Sequence, residues 1–254
     1  RRMKAVGWSV PIIHCVAPTV WAWGMWRAKK IAAVMDGLFC LFPFEPDYFK
    51  PFGLDAHFIG HPEAFGDCLP ARPAKKSVHE PKLKFNKIIL LPGSRRSEIS
   101  LILPEMLAAT PIIKRHDPNL NFVLPAVPHL LPMIKSLVAG SGVTILDQPE
   151  DLIPALQTSD AMIATSGTIT LQAALCGTVG VTCYRTSAFS GFIGRQLVDL
   201  DKVILPNAIL GRPIYPFYFQ EAATGKRLAA ATLDCLYDAN AKSSARQAAI
   251  ELKE

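Results

Sequence analysis

Ile88-Ile89-Leu90-Leu91-Pro92-Gly93-Ser94-Arg95-Arg96-Ser97-Glu98 joins a buried-looking strand to a glycine turn that carries a hydroxyl and two guanidiniums. Strand, turn and helix start aim backbone N–H groups and a helix dipole at one point. Arg95 or Arg96 can add a bidentate contact there, so the segment reads as a phosphate grip. The competing reading is an ordinary βα loop whose arginines point into water. A second phosphate-compatible turn is Ala164-Thr165-Ser166-Gly167-Thr168. Ser166 is a good N-cap, Gly167 allows close approach, and Thr168 brings a hydroxyl into the first helical turn. Gln172 shares a helix face with Thr168 and can reach a sugar hydroxyl of a ligand held at the helix start. A capped core helix with a solvated Gln is the alternative.

Three other segments can carry chemistry. In Pro18-Thr19-Val20-Trp21-Ala22-Trp23-Gly24-Met25-Trp26, three tryptophans precede Arg27, Lys29 and Lys30. That pattern suits a membrane interface, where rings are half wet and cations meet lipid phosphate. Cation–π packing within one domain and an aromatic patch for single-stranded nucleic acid are the rivals. Leu205-Pro206-Asn207 opens a polar-tipped loop in which Asn207 either bonds a sugar or phosphate or closes its own turn. His61, before Pro62, is an acid or base, a hinge, or a packing residue.

The elements that must position these groups follow from the apolar pattern. With 254 residues and 50% hydrophobic composition the chain buries a substantial core. Its net charge of +6 suits anionic partners. The basic residues are dispersed instead of sharing one stripe, which argues against nucleic acid. The six cysteines form no C-x-x-C pair and have no histidine at ligand spacing, so neither zinc nor a disulfide framework is indicated, and a reducing cytoplasm fits. The uncharged runs at 5–26 and 161–184 are broken by Gly and Pro, and read as buried strands and helices instead of membrane spans.

Strands are predicted at 11–16, 37–42, 57–59, 87–91, 121–125, 143–146, 160–164 and 179–183. Helices are predicted at 25–35, 45–52, 97–115, 128–139, 150–157, 168–176, 188–198, 218–222, 225–238 and 241–252. Pro70, Pro73 and Pro81 among lysines make 63–86 an interdomain linker. The result is α/β: two doubly wound Rossmann-like domains, 1–62 and 87–254, facing across a cleft with ligands at the carboxyl ends of strands. The chain starts as if in mid-fold, so the first domain is expected to be incomplete at its N-terminus.

Val16-Ala17-Pro18-Thr19-Val20-Trp21-Ala22-Trp23, Phe42-Pro43-Phe44-Glu45, Phe58-Ile59-Gly60-His61-Pro62, Leu91-Pro92-Gly93-Ser94-Arg95, Ser166-Gly167-Thr168 and Leu205-Pro206-Asn207 occur in the order seen in bacterial lipid-A-disaccharide synthases, and the chain resembles that family over nearly its whole length. The resemblance implies a GT-B glycosyltransferase of family 19, joining UDP-2,3-diacylglucosamine to 2,3-diacylglucosamine 1-phosphate with release of UDP. It implies no metal or other cofactor, and a peripheral position on the cytoplasmic face of the inner membrane. Trp21, Trp23, Trp26, Arg27, Lys29 and Lys30 would meet membrane and acceptor. Gly93, Ser94, Arg95, Ser166, Gly167, Thr168, Gln172, Asn207 and Gln220 would hold the UDP-sugar, with Asn207 at a position tied to activity.

The family's proposed base, an Asp, would lie before Arg1, so these residues alone are expected to be inactive. Gln172 stands where the family usually has Glu, and Phe217 replaces another Glu, which leaves a weakened variant or a non-catalytic nucleotide-binding or membrane-surface module as rivals. Another UDP-GlcNAc-using GT-B enzyme, of the muramyl-lipid transferase or 2-epimerase type, is the nearest catalytic alternative. Oligomeric state, a homodimer included, stays open.

Overall fold

The structure is a computed structural model that describes residues 7, 9–22, 24–66, 87–186 and 203–254. The described strands form two parallel sheets. The first sets β1 (Ile13–Cys15), β2 (Gly37–Cys40) and β3 (Asp55–Phe58) side by side in sequence order. The second contains β4 (Lys87–Leu91), β5 (Asn121–Pro125), β6 (Val143–Leu146), β7 (Ala161–Thr165), β8 (Gly180–Tyr184) and β9 (Phe217–Phe219). Its spatial order is β6-β5-β4-β7-β8-β9, a doubly wound sheet whose direction reverses between β4 and β7. The helices are α1 (Trp26–Ala32), α2 (Arg96–His116), α3 (Leu131–Val138), α4 (Leu152–Thr158), α5 (Thr168–Leu175), α6 (Leu205–Leu210), α7 (Gly225–Tyr237) and α8 (Ala241–Glu251).

β4 and β7 read as unbroken apolar runs because helices cover both faces of the sheet. Side-chain alternation then divides the core in two. Ile88 and Leu90 join Ile99, Ile102, Leu103 and Met106 of α2 on one face. Ile89 and Leu91 join Met162, Ala164 and Leu171 on the other. The start of α7 comes so close to α2 that a Cβ on Gly225 would sit 2.6 Å from the Ala108 Cβ.

Several sequence expectations change in detail. Residues 45–52 form two 3-10 turns, Pro46–Tyr48 and Lys50–Phe52, because Pro51, in the interior of the expected helix, has no N–H for the carbonyl four residues back and its ring clashes with it. The expected helix at 218–222 is instead β9 followed by a 3-10 turn, since the aromatic run Phe217–Phe219 pairs with β8. The expected loop at 205–213 begins as α6, with Pro206 in its first turn and Gly211 closing it in the left-handed region at φ 64°. The first sheet shows three parallel strands without a reversal. The expected helix 188–198 and residues 67–86 of the expected linker lie outside the described residues.

Candidate functional site

The sheet reversal decides where the two turns meet. Leu91 pairs with Ala164, so the loops leaving β4 and β7 stand side by side at the carboxyl edge. Above them is a cavity of about 510 Å³. Its polar side is lined by Gly93, Ser94, Arg95, Thr165, Ser166, Gly167, Thr168 and Gln172, which brings most of the expected nucleotide-binding residues together. Its other side is mostly apolar, built by Pro125 at the end of β5, by Ala126, Val127 and Pro128 after it, and by Gln148, Pro149 and Leu152 after β6.

The Gly93 turn already contains an anion. Glu98, 7% exposed, folds back so that one carboxylate oxygen accepts from the N–H groups of Ser94 and Arg95, both at 3.3 Å. Its other oxygen accepts from the Arg95 guanidinium at 2.7 Å. This is the third-residue half of a capping box, and it satisfies donors the sequence reading assigned to a phosphate. Gly93 is required for it: φ is 104°, and a Cβ there would sit 2.5 Å from the Glu98 carboxylate. Burial raises the pKa of nearby Tyr184 and the negative charge of Glu98 adds to the rise, while Arg95 draws it back.

The α5 start is different. Its N-cap, Gly167, has φ 146° and no side chain caps the helix. Open space surrounds the position a Gly167 Cβ would take, and Thr168 is exposed. This helix start therefore keeps its dipole and first-turn N–H groups directed at the cavity.

Two of the expected ligand contacts have their side chains bonded to backbone groups. Asn207 accepts from the N–H groups of Ile214 and Tyr215 at 2.8 and 3.0 Å and donates to the Tyr215 carbonyl at 3.0 Å. It clamps the loop after α6 and does not line the cavity. Gln220, 8% exposed, accepts from the Thr186 N–H and donates to its carbonyl, tying β9 to the end of β8. Both side chains are committed to backbone.

The tryptophan segment splits. Trp21 is corrected from surface to core: it is 6% exposed and its indole donates to Glu45 at 3.1 Å, with Phe44 packed edge-on at 5.2 Å. Trp23 lies outside the described residues. Trp26 is 63% exposed, with the Lys30 ammonium 4.4 Å from its ring centre, and Met25 and Lys29 are exposed beside it. His61 stacks on Phe42 and accepts from the Glu63 N–H, and burial lowers its pKa, so it packs.

Three features of the site escaped the sequence reading. Glu98 was visible as an acid three positions into a helix. Thr165 stood out as the polar end of an apolar strand. The apolar wall left no local signal, since it is assembled from loops far apart in sequence. Among the described residues no three His, Cys, Asp or Glu side chains gather as metal ligands, and no helix is long and apolar enough to cross a membrane.

The family model for lipid-A-disaccharide synthetase matches residues 1–254. The chain belongs to that family. It is 40% identical over 239 residues to the lipid-A-disaccharide synthase of Paraburkholderia phytofirmans, covering 91% of this chain and 60% of the relative. It is 36% identical over 247 residues to that of Rhodospirillum centenum, covering 95% and 61%. The chain thus spans about 60% of the length of these relatives. Among solved structures it is similar to the glycotransferase of kitacinnamycin, with TM-score 0.58 and 16% identity over 99% of this chain and 68% of that one. It is also similar to Acinetobacter baumannii MurG, with TM-score 0.54 and 15% identity over 98% and 64%. The fold is GT-B.

Proposed function

We propose that this chain supplies the UDP-sugar-binding part of a lipid-A-disaccharide synthase, which joins UDP-2,3-diacylglucosamine to 2,3-diacylglucosamine 1-phosphate and releases UDP. The observation that carries the reading is a single cavity, in a chain of this family, that pairs an uncapped helix start with an apolar slot. The diphosphate sits at Ser166, Gly167 and Thr168, and the uracil enters the slot between Pro128 and Leu152. Gln172 accepts from a ribose hydroxyl, without the charge a Glu would bring. As UDP departs, negative charge collects on its diphosphate. Preorganised N–H groups and Arg95 stabilise that charge, so the reading needs no metal or other cofactor. None of these residues abstracts the acceptor's proton.

Arg95 is bound to the buried Glu98 carboxylate, while its own side chain is 76% exposed. Solvent reaches the guanidinium, so a phosphate can meet it there and offer a bidentate charge-assisted contact. In calorimetric titration the wild-type chain is expected to bind UDP, and Arg95→Ala to bind it about tenfold more weakly. Equal affinities remove Arg95 from the site, and a wild-type chain that binds no UDP overturns the reading. In a transfer assay, turnover of unacylated UDP-glucosamine alone would point to another UDP-GlcNAc-using enzyme of this fold.

The same reading docks the protein on the cytoplasmic face of the inner membrane through Met25, Trp26, Lys29 and Lys30. What supports it is the exposed Trp26 ring with the Lys30 ammonium over it. Changing Trp26→Ala and Lys30→Glu together is expected to lower binding to vesicles containing anionic phospholipid about tenfold, with a smaller loss at high salt. Unchanged sedimentation with vesicles would exclude this face.

A further inference from the structure

We infer that the Thr165 hydroxyl is a further ligand contact of the cavity, donating a hydrogen bond to a phosphoryl oxygen of the bound molecule. The inference rests on the donor-site reading and adds to it a residue that the motif-based reading left out.

Six threonines are buried among the described residues. Five of them donate to a backbone carbonyl: Thr110 to Leu107, Thr170 to Gly167, Thr178 to Leu156, Thr182 to Pro216 and Thr232 to Leu228. Thr165 is the exception. It is 3% exposed, and its Oγ1 is the one buried side-chain oxygen or nitrogen among the described residues with no partner. A hydroxyl closed off from water without a hydrogen bond is costly, and folded proteins avoid it unless something else satisfies the group.

Its place in the fold indicates what that partner is. Thr165 ends β7, lines the cavity, and lies between the two turns: its methyl is 3.2 Å from where a Gly93 Cβ would be, and Gly167, the N-cap of α5, follows two residues later. The neighbouring anion, Glu98, is already engaged with the Ser94 and Arg95 N–H groups and the Arg95 guanidinium. The helix start beside Thr165 has no side-chain cap on its first-turn N–H groups, and it favours negative charge. The acceptor that suits both the helix start and the orphan hydroxyl is an anionic oxygen, and in a nucleoside diphosphate that is a phosphoryl oxygen.

Thr165→Val keeps the shape and removes the hydroxyl, and Thr165→Ser keeps the hydroxyl. Titrations with UDP and with uridine, run beside the wild type, separate the phosphate from the nucleoside. Thr165→Val is expected to bind UDP about tenfold more weakly, to bind uridine as the wild type does, and to melt at or above the wild-type Tm because an unpaired hydroxyl is gone. Thr165→Ser is expected to hold UDP within about threefold of wild type. If Thr165→Val binds UDP like the wild type, the inference fails and the donor-site reading stands. An equal loss on uridine overturns the phosphoryl assignment, and a Tm several degrees lower shows that the fold itself satisfies the hydroxyl. A wild-type chain that binds no UDP removes the reading and the inference together.

Discussion

Thr168→Glu is expected to weaken UDP binding about 100-fold while leaving the Tm at or slightly above the wild-type value. Thr168 is the first residue of α5 and is exposed at the cavity. An acid in a first helical turn stabilises the helix by about 0.5 kcal/mol, because it complements the positive end of the dipole. The same carboxylate would stand within a few ångströms of a diphosphate at that helix start. Repulsion between charges this close amounts to about 1–4 kcal/mol per pair at the effective dielectric of a protein surface. Stability and affinity should therefore move in opposite directions, which a merely disruptive substitution cannot produce. Thermal melts and UDP titrations on the same preparation check it, and an unchanged affinity would move the diphosphate away from α5.

Glu45→Ala is expected to cost about 3–5 kcal/mol of unfolding free energy and to lower the Tm by about 10 °C. Glu45 is 2% exposed, and its carboxylate accepts from the Trp21 indole at 3.1 Å and from the Leu41 and Phe42 N–H groups at 3.0 Å. Truncation leaves three donors unpaired, the Trp21 indole and the Phe42 N–H buried and the Leu41 N–H partly so. Burial raises the pKa of Glu45, and the three hydrogen bonds offset only part of the rise. The folded chain therefore holds this proton more tightly than the unfolded chain. Stability linked to Glu45 is fully present below the ordinary carboxylate range and falls as the pH rises from that range through the raised folded value. Glu45→Gln has no such proton, so its stability should lack this part of the pH slope. Urea unfolding of both proteins from acidic to neutral pH tests the sign, and parallel curves would refute it.

Much of the second sheet was legible in the sequence, because Ile88–Leu91, Phe122–Leu124 and Ala161–Ala164 are short apolar runs closed by turn residues. The two turns beside the reversal were legible for the same reason. β9 was not: Phe217–Phe219 is too short for a periodic signal, and it is a strand only because β8 offers it an edge. Trp21 and Trp26 show the limit most clearly. They share a segment and the same basic neighbours, yet one is core and the other surface. What separates them is a carboxylate 24 residues downstream of Trp21, and local pattern does not report it. The Asn207 and Gln220 amides have the chemistry to bond a ligand, and they bond backbone groups at some distance along the chain.

Trp21 and Phe42 come from the part of the chain that carries the first sheet, yet they are buried in one cluster with Leu91, Leu205 and Tyr215 of the second. The Pro- and Lys-rich stretch between the sheets is thus a boundary in the covalent chain without being one in the energetics. Separating the sheets would bare apolar surface on both sides. The two sheets consequently share one apolar cluster, so heat is expected to melt both in one transition.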